Sequence, residues 1–177
     1  MLDAASKGHP DVVTYLIAKG ADVKKRTRLS NATAFIENSD GSNGKDYIGI
    51  ASILLANGAD VNAQTSSGKT ALHNAVRYGF EDQVTFLIEN GADVNIADNY
   101  GETVMFKAAA GYRKLIPMLL ENGAEIDIQD QQGNSPLMKA IRRHRVDMVL
   151  KMTFTQKTRF LLVESSFGIL RLREIEG

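Results

Sequence analysis

Cysteine is absent from this 177-residue chain. That excludes a disulfide framework, a thiolate metal site and a cysteine nucleophile together, and it fits a reducing compartment. Net charge is absent too, with 21 Lys plus Arg against 21 Asp plus Glu. A polyanion-binding protein usually carries a basic excess, so the balance argues against nucleic acid or anionic lipid. No apolar run exceeds four residues, as in Phe160-Leu161-Leu162-Val163, so no membrane span is expected. Met1 to Lys7 lacks a basic region followed by an apolar stretch, so no signal peptide is expected, and an intracellular, cytoplasmic location follows as an expectation. Without a signal peptide, the acceptor pattern Asn31-Ala32-Thr33 has no glycosylation use.

Histidine is scarce, at three residues, and none pairs with another at the i, i+4 spacing of a helical metal site. His9 and His73 read as structural hydrogen-bonders near a turn or helix start. His144 lies between Arg143 and Arg145 near a helix end, where a cation suits the helix dipole. No Ser-His-acid set can be assembled without assuming proximity. The segment Ala63-Gln64-Thr65-Ser66-Ser67-Gly68-Lys69-Thr70 fits a relaxed phosphate-loop pattern with Ala for the first Gly. That chemistry needs a buried strand ahead of the loop, and only Val61 stands there, between Asp60 and Asn62. No cofactor, metal or catalytic residue is therefore assigned.

What is present is a repeat. Gly-Ala recurs at Gly20-Ala21, Gly58-Ala59, Gly91-Ala92 and Gly123-Ala124, at intervals of 38, 33 and 32 residues. Each pair follows an apolar doublet: Leu16-Ile17, Leu54-Leu55, Leu87-Ile88 and Leu119-Leu120. A second marker keeps the same register, at Gly68-Lys69-Thr70, Gly101-Glu102-Thr103 and Gly133-Asn134-Ser135. Within residues 65–97, Thr70 can cap a first helix and Leu72, Ala75 and Val76 form its apolar face. Gly79 breaks it. A second helix begins near Glu81-Asp82, with Val84, Leu87 and Ile88 as its buried stripe and Gly91 as its left-handed stop. Ser135-Pro136 repeats the capping arrangement, with Pro where no N–H is needed. One such unit cannot bury its own face, so units must stack. Ala75, Ala108 and Ala140 recur where neighbouring first helices approach.

This pattern resembles the ankyrin repeat. Gly68-Lys69-Thr70-Ala71-Leu72-His73-Asn74-Ala75 is similar to the family's Gly-x-Thr-Pro-Leu-His-x-Ala, with Ala71 for Pro. Gly91-Ala92-Asp93-Val94-Asn95 is similar to its end. The resemblance implies an all-α solenoid of stacked helix-turn-helix units joined by β-hairpin loops, with units of about 1–26, 27–64, 65–97, 98–129 and 130–153. Residues 154–177 form a separate segment, expected to fold back as a cap, for which neither helix nor strand periodicity is clean. The first unit is truncated, with Met1 at the Leu72 position. The second is five residues longer than the third, mostly within Ser39–Gly44. The fourth lacks one residue near Ala110 and carries Pro117 at the Thr85 position, which reads as a weak joint unless its helix starts late.

The resemblance also implies an interaction module or adaptor rather than an enzyme. The alternative is a targeting segment of a larger enzyme. Binding would use the concave side, at hairpin tips and the exposed side of each first helix. Those positions are Ser66, Ser67, Lys69, Asn74, Arg77 and Tyr78; Asn99, Tyr100, Glu102 and Lys107; and Gln131, Gln132, Asn134, Lys139, Arg142 and Arg143. Six of these are basic and one is acidic, so an acidic protein surface is the expected partner, steered by charge and anchored on Tyr78 and Tyr100. A monomer is expected unless the truncated first unit self-associates.

Overall fold

The computed structural model describes residues 4–5, 8–22 and 47–142, together with the backbone of 160–164 and 170–174. The second unit's long loop, the Asn31 acceptor pattern, His144 and Arg143 lie outside the described residues. The helices are α1 Pro10–Ala18, α2 Tyr47–Ala56, α3 Ala71–Tyr78, α4 Glu81–Glu89, α5 Val104–Ala110, α6 Leu115–Glu121 and α7 Pro136–Arg142. α3, α5 and α7 are first helices of successive units and stack on one another. α1, α2, α4 and α6 are second helices.

The repeated Gly-Ala pair explains how each second helix stops. Gly20, Gly58, Gly91 and Gly123 adopt left-handed φ of 82–86°. In α4 the Ala92 amide then reaches back to the Leu87 carbonyl at 3.0 Å, satisfying a group that the last turn leaves open. The stripes are buried as their period requires: Leu54, Leu72, Val84, Leu87 and Leu119 are at most 1% exposed. Truncating one of these leucines to Ala costs about 2–5 kcal/mol. Ala75, Ala108 and Ala140 are fully buried, so the small residues lie where the first helices stack.

The fourth unit absorbs both of its departures. The first helix of the third unit closes with Gly79 at φ 74° and a bond from the Phe80 amide to the Ala75 carbonyl at 3.1 Å. In the fourth unit that left-handed residue is the one missing. Gly111 is extended at φ −162°, and the Tyr112 amide bonds one residue nearer, to the Ala108 carbonyl at 3.0 Å. α6 then starts late, so Pro117 is its third residue, within the first turn, where an N–H has no intrahelical acceptor. The late start is the condition under which Pro117 removes no helical bond, and the structure meets it.

The C-terminal segment departs from the helical pattern of the repeats. β1, Phe160–Glu164, pairs antiparallel with β2, Leu170–Glu174, with Leu162 opposite Leu172.

Candidate functional site

Between the units run hairpins whose tips line one edge of the stack. Each tip is organised by the residue three before its glycine. In the fourth unit Asp98 Oδ1 accepts from the amides of Tyr100 (2.9 Å) and Glu102 (3.1 Å). In the fifth, Asp130 Oδ1 accepts from Gln132 and Asn134, both at 2.9 Å. In the third, Thr65 Oγ1 accepts from Lys69 at 3.1 Å. This is the local side-chain-to-backbone bonding that Asp and Thr favour in turns. It leaves the segment through Gly68 and Lys69 as a closed turn, with the Gly68 amide on the Thr65 carbonyl at 2.9 Å, and not as a phosphate cradle.

Successive tips are bonded together. The Asn99 amide donates to the Ser67 carbonyl at 3.1 Å, and the Gln131 amide to the Tyr100 carbonyl at 2.9 Å. Asn99 Nδ2 adds a bond to the Ser66 carbonyl, and Gln131 Nε2 one to the Asn99 carbonyl, each at 2.8 Å. On the far side of each hairpin, Asn62 Nδ2 donates to the Gly91 carbonyl while its Oδ1 accepts from the Asp93 amide; Asn95 does the same with Gly123 and Glu125. The Asp-Val-Asn signature is therefore a clamp between units.

The third unit's first helix adds another tie. Thr70 and His73 form a capping box, and His73 Nε2 lies 3.2 Å from the Glu102 carbonyl of the next hairpin. Burial holds the His73 ring below the usual imidazole pKa. The Glu102 carbonyl and the Asp98 charge oppose that shift, and Lys69 and Lys107 add to it. Ser135 Oγ caps α7 by accepting from Met138 N at 3.2 Å. In the fourth unit Phe106 stands where His73 stands in the third, and the buried Thr103 hydroxyl has no partner.

The candidate contact residues divide on this scaffold. Ser66, Ser67, Arg77, Asn99, Tyr100, Gln131, Gln132 and Arg142 are exposed, and Tyr100 keeps 65% of its surface. Tyr78 is half-buried, 5.9 Å from the Phe80 ring. Asn74 and Asn134 are corrected from surface to interior. Asn74 is buried against the stacked first helices, and Asn134 turns its amide onto the Asp130 carboxylate at 3.1 and 3.2 Å. Those bonds and the two amides on Asp130 outweigh burial, and its pKa falls below the usual range.

A cleft of about 460 Å³ opens on the hairpin side of α5 and α7. Glu102 sits in it, bonded to both Lys107 and Lys139. Burial alone would push the Glu102 carboxyl up, but the two lysines outweigh it and the net shift is down. Lys139 also lies 5.2 Å over the Phe106 ring. The sequence count of a basic groove missed Asp98 and Asp130. With both included, the cleft holds Lys69, Lys107 and Lys139 against Asp98, Glu102 and Asp130, and its formal charges balance. The missed signal was the spacing Asp-x-x-Gly in both tips.

Among the described residues no cluster of three His, Asp or Glu is placed to hold a metal ion, and no helix is long and apolar enough to cross a membrane. Comparison with curated proteins gives no match. Family models do match: ankyrin repeats in three copies over residues 42–130, ankyrin repeats in many copies over 111–152, and a single ankyrin repeat over 1–28. Ankyrin repeats are generally protein–protein interaction modules. With the capped helix pairs, the left-handed glycine stops and the hairpin clamps already in place, these matches mean that the chain belongs to the ankyrin-repeat family.

Proposed function

We propose that this chain is an adaptor that binds another protein along the hairpin tips and the adjoining first helices. The observation that carries the reading is the division of labour at the tips. Their backbones are bonded to one another, while Ser67, Tyr100 and Gln132 stand exposed on them. A rigid edge presenting exposed polar and aromatic side chains binds with little ordering cost. Tyr100 is the main anchor, because an exposed aromatic ring offers large contact area with few rotatable bonds. Arg77 and Arg142, exposed at the ends of α3 and α7, steer association by their charge.

The test is quantitative capture from a lysate, identified by mass spectrometry, with the whole chain and a variant carrying Ser67→Arg, Tyr100→Ala and Gln132→Arg. The expected result is a small set of proteins lost from the variant. Equal recovery of every protein by both chains would refute binding along this edge.

A further inference from the structure

The balanced cleft contains one group that the fold leaves unsatisfied. Asp98 is 6% exposed and its Oδ1 accepts two backbone amides, yet its buried Oδ2 has no hydrogen-bond partner. The next hairpin shows why this is unusual. There Asp130 makes the same two amide bonds, and the Asn134 side chain supplies Oδ2 with its donor at 3.2 Å. The residue in the Asn134 position of the fourth unit is Glu102, a carboxylate that cannot donate and that turns instead to Lys107 and Lys139. Asp98 therefore presents a carboxylate oxygen that lacks the donor which Asn134 supplies at the equivalent position of the next unit. An unsatisfied buried acceptor of this kind is costly until something donates to it.

The groups around it select the donor. Lys69 lines the same cleft, and it and Asp98 act on the His73 ring in opposite senses. Lys107 and Lys139 are held on Glu102, and with Lys69 set against Asp98 and Asp130 the cleft carries no net charge for a cationic donor to complement. The Asp98 carboxylate disfavours an anion. A neutral group with one donor and one acceptor satisfies both sides: its N–H meets Asp98 Oδ2 and its oxygen meets the Lys69 ammonium. Tyr100 lies at the mouth of the cleft with most of its ring exposed, ready to cover the neighbouring residue of a bound segment.

We propose that the cleft reads a carboxamide side chain, Asn or Gln, carried on an extended segment of the partner. The inference rests on the protein-binding reading above and adds to it the chemistry of one recognised residue. It also predicts how specificity changes. Asp98→Asn keeps an oxygen for the Tyr100 and Glu102 amides but replaces the free acceptor with a donor, so the preferred ligand becomes a carboxylate, Asp or Glu.

The test is selection from a phage-displayed library of random short peptides on the whole chain and on Asp98→Asn, with urea denaturation checking that the variant folds. The expected result is Asn or Gln enriched at one fixed position on the natural chain, replaced by Asp or Glu on the variant. A synthetic peptide bearing Gln there should bind the natural chain about tenfold more tightly than its Glu or Lys versions, the factor that one mismatched buried hydrogen bond is worth. On Asp98→Asn the Glu version should become the tighter one. Lys69→Met, which leaves Asp98 in place, should weaken the Gln peptide as well and keeps the test decisive if Asp98→Asn does not fold. Enrichment of Lys or Arg on the natural chain, or identical profiles on both chains, would overturn the proposal. Peptides that ignore Asp98→Asn and Lys69→Met but lose binding on Tyr100→Ala would overturn the cleft and keep the binding edge. Selection of no peptide sensitive to any of the three would overturn both.

Discussion

Gly68, Gly101 and Gly133 occupy the same place in three successive hairpins, at φ of 76°, 78° and 76°. An alanine at any of them meets the same backbone penalty, about 1–2 kcal/mol for an L residue in the left-handed region. What differs is the neighbour. A Cβ on Gly68 would fall 2.9 Å from the Asp98 carbonyl carbon and closer still to Asn99, and a Cβ on Gly101 would fall 3.0 Å from the Asp130 Cα and the Gln131 nitrogen. A Cβ on Gly133 would meet nothing within 4 Å. The first two obstacles are backbone, which cannot rotate away, and relieving them stretches the bond from the Asn99 amide to the Ser67 carbonyl or from Gln131 to Tyr100. Overpacking of that sort adds about 1–3 kcal/mol. The expected order of loss is Gly68→Ala, then Gly101→Ala, then Gly133→Ala, with about 2–5 kcal/mol for the first. At a urea slope of about 2 kcal/mol/M, Gly133→Ala shifts the midpoint by about 0.5–1 M and Gly68→Ala by about 1–2.5 M. Circular dichroism and the fluorescence of the five tyrosines should be followed together, because a stacked array need not unfold in one step. Equal losses at all three positions would show that the hairpins do not bear on one another as described.

Three further expectations can be checked with the same assay. Thr70→Val removes a capping box and should cost about 1 kcal/mol, whereas Thr103→Val replaces a buried hydroxyl that bonds to nothing and should be neutral or stabilising; a large loss from Thr103→Val would reveal a partner for that hydroxyl. Pro117→Thr should leave stability unchanged or lower it by about 0.5–1 kcal/mol, since the proline restricts the unfolded chain and blocks no helical bond; a clear gain would restore the weak-joint reading. His73 is held below 6.5, so the folded chain takes up its proton less readily than the unfolded one, and stability is full above that pH and falls as pH drops below it. His73→Gln should flatten that slope in a urea series run from neutral to mildly acidic pH, leaving the later loss from Glu102, whose lowered pKa keeps its contribution until more acid conditions. An unchanged slope would place the titrating group elsewhere.

The periodic parts of this molecule were legible because one physical requirement recurs in each unit. A helix must stop and reverse, so Gly91 and Gly123 stand where a left-handed residue is needed, and Thr70 and Ser135 stand where an amide lacks a partner. The contact surface was less legible because it depends on which way a side chain turns. Asn74 and Asn134 are polar residues at positions the repeat register places on the surface, yet the first is buried within α3 and Asp130 claims the second. Asp98 and Asp130 were overlooked because, as acids in turns, they resemble solvated residues in a list, and only the folded hairpin turns them towards the lysines. The pairing of β1 with β2 was illegible for a different reason: Phe160–Glu164 and Leu170–Glu174 satisfy neither period cleanly, and their order comes from each other.

The two sides of this stack resist deformation by unlike laws. Along the hairpin edge, neighbours are joined by directional links such as Asn99 to Ser67 and Gln131 to Tyr100, which hold over a few tenths of an ångström and then fail. Along the helices the Asn62 and Asn95 clamps hold the ends of the second helices, and the helix bodies are joined by Ala75, Ala108, Leu87 and Leu119, whose attraction is diffuse and allows sliding. Such a body is stiff along its hairpin edge and at the clamped ends of its second helices, and more compliant along the helix bodies. A load on the stack is taken up by small shifts along the helix bodies, while the spacing of Ser67, Tyr100 and Gln132 along the hairpin edge stays fixed.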